Sequence, residues 1–352
     1  MTTLRWGFLG TAGIGRKNWQ AIRLAENCVL TAVASRDAAR SGQYINEGQA
    51  AAPFAVRPQA FGSYEALIAS PDVEAVYIPL PTALRAQWVI RAARAGKHVL
   101  CEKPCATSAK ELESMLAACR EHHVQFMDGV MFMHNFRMSN LRSVLDDGVN
   151  TGQIRRIMSI FSFHGYGEFF QKNIRIHTGL EPAGCLGDLG WYCLRFALWA
   201  MKWQAPSEVT GRILLTDGKN SSPLEFSGEL FFADGASAGF YCSFLAPNQH
   251  WVNVSGTKGW LRLDDFVHPA NPQEPSFLLN DVLVPVKDGS AILNQGSSRA
   301  QDVNMFRNFA NQVRSGGLNE EWPQWSWKTQ VVQDACLKSA RNGGQRVTVA
   351  AF

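Results

Sequence analysis

What most constrains this chain is an alternation. Over its first 125 residues, short apolar runs that read as strands are separated by stretches with helical periodicity. The run Leu4 to Leu9 stops at Gly10, Ile14, Ala21, Ile22 and Leu24 then recur on one helical face, and a second apolar run occupies 29–35. The pattern repeats downstream, with a strand at 73–78, a helix at 82–95 stopped by Gly96, and a strand from His98 to Cys101. Ser108-x-x-Glu111 has capping-box spacing, Leu112, Met115, Leu116 and Cys119 follow at i, i+3, i+4, i+7, and another strand starts at 124–127. Strands separated by helices cannot pair as hairpins, so they must lie parallel, with helices on both faces. The expectation is an α/β chain whose residues 1–125 form a doubly wound parallel sheet of the Rossmann type.

Beyond residue 150 the texture changes. Strand signals at 154–163 and 209–215 are followed by runs at 225–233 and 236–244 flanking Asp234-Gly235, a two-residue hairpin signal. Runs at 251–255 and 260–263 flank Gly256-Thr257-Lys258-Gly259 in the same way. With helices expected at 186–200, 301–314 and 328–341, and loops with short strands over 269–295, residues 126–352 read as an α+β domain. Its sheet should be large, open and mostly antiparallel. The 34 Lys and Arg barely exceed the 30 Asp and Glu, which excludes a dense basic nucleic-acid surface, and 46% hydrophobic residues exclude a disordered chain. No apolar run approaches the ~20 residues a membrane span needs. With no leader segment apparent ahead of the first strand, the expectation is a soluble cytoplasmic protein. The eight cysteines are scattered and read as core thiols rather than disulfides; Cys101 and Cys105 lack a second pair, so no metal site is expected.

Between the first strand and first helix stands Gly10-Thr11-Ala12-Gly13-Ile14-Gly15. In the dinucleotide fingerprint G-x-G-x-x-G, glycines allow a tight turn, close approach of the pyrophosphate and helix–strand packing, with the helix N-terminus facing the anion. Ala12 replaces the second glycine, a departure that adds one methyl. The strand–turn–helix–strand context supports the motif even so. The end of the second strand then selects the cofactor. An acid there would hold a ribose 2′-hydroxyl, whereas Ser35-Arg36 offers a small donor and a guanidinium for a 2′-phosphate. That favours NADP; Asp37, one register step on, leaves NAD open.

Two further segments carry chemistry. Strand 98–101 runs straight into Glu102-Lys103-Pro104, at the strand end where open parallel sheets place ligands. Gly184-Cys185-Leu186-Gly187-Asp188-Leu189-Gly190-Trp191-Tyr192 sets Asp188 and Tyr192 four apart, on one helical face, with glycines that permit close approach.

The segment from Gly96 to Pro104, the Gly10 turn and Gly-x-x-Gly-Asp-Leu-Gly-Trp-Tyr together resemble the glucose-fructose oxidoreductase, inositol dehydrogenase and rhizopine-catabolism family, Gfo/Idh/MocA, over essentially the whole chain. Within it, the segments 127–135 and 173–175 are most similar to a branch of poorly characterised plant and bacterial oxidoreductases. The resemblance implies a Rossmann domain holding NAD(P), and a second domain whose sheet joins copies into a homodimer or homotetramer. It implies a cis Lys103-Pro104 bond, Lys103 as the catalytic lysine, Asp188 as the helix carboxylate and Tyr192 as the acid/base. Pro79-Leu80-Pro81 and Glu102 join Gly10–Gly15, Ser35, Arg36 and Lys103 as expected cofactor contacts. Arg85 departs from the family, which often has His there. Arg175, Phe132, His134 and Trp191 are the expected substrate contacts, since aromatic faces and hydrogen-bonding groups suit a sugar. The implied activity is hydride transfer at a carbinol or carbonyl carbon of a sugar or cyclic polyol. A dihydrodiol, a nucleotide-sugar ketone, transient redox glycoside cleavage and cofactor sensing without turnover are the alternatives.

Overall fold

The strand β1 (Leu4–Leu9) exposes Arg5 and buries Leu4, Trp6, Phe8 and Leu9 completely, the signature of a central strand covered on both faces. In the computed structural model, which describes residues 3–218, 221–271, 275–286 and 300–352, that strand is the middle of a six-stranded parallel sheet. The elements follow as α1 (Ile14–Leu24), β2 (Cys28–Ala34), α2 (Ala38–Ala51), β3 (Gln59–Phe61), α3 (Tyr64–Ala69), β4 (Ala75–Ile78), α4 (Thr82–Arg94), β5 (His98–Cys101), α5 (Ala109–Glu121) and β6 (Phe126–Asp128). Their order in the sheet is β3-β2-β1-β4-β5-β6. The chain therefore reverses direction across the sheet between β1 and β4, which places the carboxyl ends of those strands at the point where doubly wound sheets bind ligands.

The second unit contains α6 (Arg137–Asp146), β7 (Ile154–Ser162), α7 (Phe169–Lys172), α8 (Trp191–Ala200), β8 (Glu208–Thr216), β9 (Pro223–Phe231), β10 (Ser237–Ser243), β11 (Gln249–Gly256), β12 (Trp260–Leu263), β13 (Ser276–Leu279) and β14 (Val282–Pro285). After α9 (Ala300–Arg314) and α10 (Glu321–Arg341), the short strand β15 (Val347–Thr348) closes a nine-stranded sheet in the order β14-β13-β12-β11-β7-β10-β9-β8-β15. Every pair in it is antiparallel except β7 with β10. All ten residues of α8 are buried.

Three sequence expectations shift. The boundary expected at 125 gives way to a first compact unit that includes Lys110–His134 and a late stretch ending at Ser326. The reason is the amphipathic face of α9, whose Phe306 and Phe309 rings each pack 5.0 Å from Trp6 of β1 and close that side of the parallel sheet. Ile14, expected on the buried face of α1, is 37% exposed, while Gly15, Asn18, Trp19, Ala21 and Ile22 are the buried positions. The hairpin at Asp234-Gly235 is one residue longer than expected. Phe232 donates to the Ala236 carbonyl at 2.9 Å across Ala233-Asp234-Gly235, and Gly235 takes φ +83°, the left-handed residue that ends a three-residue turn. Part of the expected loop region 269–295 lies outside the described residues. All eight cysteines are buried thiols. Among the described residues no helix is long and apolar enough to cross a membrane, and no three His, Cys, Asp or Glu side chains cluster to hold a metal.

Candidate functional site

The Gly10 turn leaves β1 at φ +128°, a conformation open to glycine, and its Cα faces Leu80 and Pro79: an added Cβ would stand 3.2 Å from the Leu80 side chain. The first and third cofactor-contact segments expected from the sequence are thus neighbours. At Gly13, which caps α1 in helical geometry, an added Cβ would meet nothing within 4 Å, so the surface over the N-terminus of α1 is open. Gly15 has the opposite constraint. A Cβ there would stand 2.6 Å from the Tyr44 hydroxyl and 3.5 Å from the Phe8 ring. Tyr44 lies 4% exposed on α2, and its hydroxyl donates to the Ala12 carbonyl at 3.3 Å, which also accepts from the Gly15 amide at 3.0 Å. Arg16 stacks over the Tyr44 ring at 4.6 Å and pairs with Glu47. Burial pushes the Tyr44 phenol up to about 12, so it remains a donor. The alanine in the glycine motif is therefore accommodated with its carbonyl, rather than its methyl, as the anchored group.

Strand β2 ends at Ala34, so Ser35 takes the position an acid would occupy in an NAD site. The Ser35 hydroxyl is buried and donates to the Asp37 carbonyl at 2.6 Å, while accepting from Ser41 at 3.1 Å. Asp37 caps α2, its carboxylate accepting from the Ala39 amide at 2.9 Å. That use of Asp37 directs its charge at a helix N-terminus. Arg36 is exposed next to it, and Arg40 donates from Nε to the Thr11 hydroxyl at 2.9 Å, joining the first turn of α2 to the glycine loop. Burial raises the Tyr64 phenol, against the opposing charges of Arg36 and Arg40. The residues fit a 2′-phosphorylated dinucleotide: an open helix N-terminus for the pyrophosphate, and two arginines where an acid is missing.

Glu102 and Lys103 leave the end of β5. The Glu102 carboxylate is 7% exposed and accepts from the Tyr77 hydroxyl at 2.5 Å and from the Lys103 amide at 3.3 Å. Burial and then that carboxylate push the Tyr77 phenol far up, fixing it as the donor. Gly129 faces the same carboxylate, since an added Cβ would stand 3.2 Å from it. The Lys103-Pro104 bond is cis, as the resemblance implies.

In the second unit, the expected single helix over 186–200 divides into a π-helical turn, Leu186–Gly190, and α8. Such widened turns recur at functional sites because they redirect side chains. Gly190 brings the turn against β10, where an added Cβ would meet Cys242 Sγ at 3.3 Å. Asp188 sits in this turn and accepts from Arg175 Nε at 2.6 Å, a charge-assisted bond. Tyr192, the second residue of α8, is 6% exposed, its ring edge-on to Phe161 at 5.4 Å. Arg175 is thus a partner of Asp188. Of the expected substrate contacts, Phe132 is 1% exposed and Trp191 fully buried. His134 lies at the end of the turn Met131–His134, against Asn308 at 3.2 Å and the Trp322 ring at 5.9 Å. Sequence reading missed Arg40, Tyr44 and Tyr77; only Arg40, a second cation shortly after Arg36, left a visible sign.

Comparison with known proteins bears on this geometry. Residues 4–130 match the model described as an oxidoreductase family with NAD-binding Rossmann fold, and 138–262 match the GFO/IDH/MocA C-terminal domain. The chain is similar to the D-xylose 1-dehydrogenase (NADP(+)) 2 of Haloferax volcanii, 31% identical over 341 residues that cover 97% of this chain and 98% of that protein. It is 32% identical to the trans-1,2-dihydrobenzene-1,2-diol dehydrogenase of Bos taurus over 272 residues, 74% of each chain. Its fold is shared with a 3-ketoreductase from Actinomadura kijaniata in complex with NADP and TDP-benzene, at TM-score 0.82 and 24% identity over 96% of this chain and 98% of that one.

Proposed function

This chain belongs to the Gfo/Idh/MocA family and is an NAD(P)-dependent oxidoreductase, and from that premise we propose that it uses NADP to interconvert a carbinol and a carbonyl carbon of a sugar or cyclic polyol. The observation that carries the reading is the strand end of β5, where the buried Glu102 carboxylate is followed at once by Lys103 in a ligand-binding sheet position. Bound nicotinamide supplies or accepts the hydride. The Gly10–Gly15 turn and the α1 N-terminus would hold the pyrophosphate, Pro79, Leu80, Pro81 and Glu102 would contact the cofactor, and Arg36 with Arg40 would hold the 2′-phosphate beside Ser35.

The Lys103 ammonium attracts the reacting oxygen and stabilises it as charge develops there. Tyr192 takes the hydroxyl proton in oxidation and delivers one to the oxygen in reduction. Free tyrosine has a pKa of about 10, and a cation at the reacting oxygen would help it act as a base near neutrality. Asp188, oriented by Arg175, accepts a hydrogen bond from a substrate hydroxyl. A cytoplasmic homodimer or homotetramer through the nine-stranded sheet belongs to the same reading. Met158 of β7 and Leu214 and Leu215 of β8 remain exposed at 36%, 49% and 49%.

The test is NADP+ reduction, followed by absorbance, against aldoses including D-xylose, inositols, cyclic trans-diols and glycosides, with Lys103→Ala and Tyr192→Phe in parallel. Turnover is expected in the wild type, with each variant losing on the order of 10²-fold or more in kcat while NADPH still binds. Silence across the panel with NADPH bound would overturn the sugar or polyol assignment, and glycoside cleavage without accumulated NADPH would replace net oxidation by a transient redox cycle.

A further inference from the structure

We infer that Arg85 is a positioning residue for Lys103, its guanidinium fixing the backbone on both sides of that lysine; the inference rests on the role proposed for Lys103. Arg85 lies in the first turn of α4 and is 5% exposed. Its Nε donates to the Leu80 carbonyl at 2.7 Å. Its Nη1 donates to the Glu102 carbonyl at 3.0 Å and to the Pro104 carbonyl. The Thr82 hydroxyl donates to the same Pro104 oxygen at 3.4 Å, and the Glu102 amide donates to Ile78 at 3.2 Å.

These acceptors belong to two strand-end loops, one after β4 and one after β5. Lys103 is the single residue between the two β5-loop carbonyls that Arg85 binds. A shift of its Cα therefore stretches one of those bonds, and the same guanidinium ties the position to Leu80, beside the Gly10 turn. The side-chain chemistry is specific. A guanidinium presents five N–H donors in a rigid plane, which suits several carbonyls held at once. An ammonium is a point charge on a flexible stem, and a neutral imidazole has one N–H to give. Loss of the fork should thus leave Lys103 in place in the chain but loose in space. Misplacing a reacting group by about 1 Å costs on the order of 10²-fold in rate.

The experiment measures acetylation of Lys103 by acetic anhydride, read by peptide mass spectrometry with and without NADPH, in the wild type, R85A and R85K. NADPH binding is followed separately by its fluorescence, and kcat is measured with the best substrate of the panel. In the wild type NADPH is expected to slow labelling of Lys103. In R85A that protection should fall although NADPH binds, kcat should drop on the order of 10²-fold, and millimolar guanidinium chloride should restore both in R85A while leaving the wild type unaltered. A role confined to stability would not produce that rescue. If R85A does not fold, R85K carries the same expectation, since it keeps the charge without the fork. Unchanged protection and kcat in a folded variant overturns the inference, and failure of both variants to fold overturns it in favour of a scaffold role. Absence of NADPH protection in the wild type overturns the reading of Lys103 itself, which separates the two failures.

Discussion

Ser35 stands where an acidic side chain would bind a ribose diol, yet its hydroxyl is committed to its own turn through Asp37 and Ser41. The positive surface beside it comes from Arg36 and from Arg40, the latter held against Thr11 at 2.9 Å. A hydrogen bond to a charged group contributes about 1.5–3 kcal/mol, which is roughly ten- to a hundredfold in affinity. Arg40→Ala is therefore expected to weaken NADPH by about that factor while changing NADH little, measured by fluorescence titration of each cofactor. Equal losses for both would mean that Arg40 acts by bracing the glycine loop and not through the 2′-phosphate. Arg36 was legible because a strand end can be read from the apolar run before it. The pairing of Arg40 with Thr11 was not, because the partners are 29 residues apart and meet only after β2 has paired with β1. The same holds for Tyr44, whose contact with the Ala12 carbonyl depends on where α2 is laid over α1.

Between elements, the closest approaches are set by glycines, and here the structure separates glycines that matter for packing from those that do not. A Cβ at Gly211 of β8 would stand 2.3 Å from the backbone carbonyl of Cys336 in α10, and the Gly211 amide donates to Ser339 of the same helix at 2.9 Å. Backbone cannot rotate out of the way as a side chain can. Gly211→Ala should separate strand from helix and cost about 1–3 kcal/mol, seen as a lower unfolding temperature. Gly13→Ala is the control, because its Cβ would meet nothing within 4 Å and its φ is −57°, so its unfolding temperature should match the wild type. Element type was legible wherever a period of two or 3.6 was sustained, as in β7, β11 and α5. Element partnership was not. The periodicity of α9 shows that it has a buried face, but only the fold shows that the face is taken by Trp6, far away in sequence, which is why a boundary at 125 misses it. The π-helical turn was hidden for a related reason, since glycines at 187 and 190 permit it without demanding it.

Over the whole molecule, each compact unit holds an imidazole that its surroundings keep neutral. His98 of β5 is shifted below its ordinary value by burial, with Arg314 adding to the effect against Glu74, and its Nδ1 accepts from the Gln125 amide at 2.9 Å, a bond only an unprotonated nitrogen can make. His250 of β11 is likewise lowered by burial, against the pull of Asp265. The sign follows from proton counting. Below about pH 6.5 the unfolded chain protonates these side chains while the folded chain resists, so the unfolded state binds more protons and stability falls as the pH falls. The stabilisation is complete above that pH and is lost on the way down to the folded values. Glu74 acts in a separate, more acidic window. Burial alone would raise it, but hydrogen bonds from Arg314 and Arg5 prevail and hold it below the usual carboxylate value, so its contribution is lost only when the pH drops through the carboxylate range. The expected result is a wild-type unfolding temperature lower at pH 5.5 than at pH 7.5. His98→Asn keeps a polar side chain at this position but removes the titration, so its unfolding temperature should depend less steeply on pH over that interval, whatever its absolute value. A slope equal to that of the wild type would place the loss elsewhere, with His250 the next position to replace. A wild-type temperature that holds steady between the two pH values would show that the folded and unfolded chains take up protons alike over that interval, against the neutral His98 that the bond from Gln125 requires.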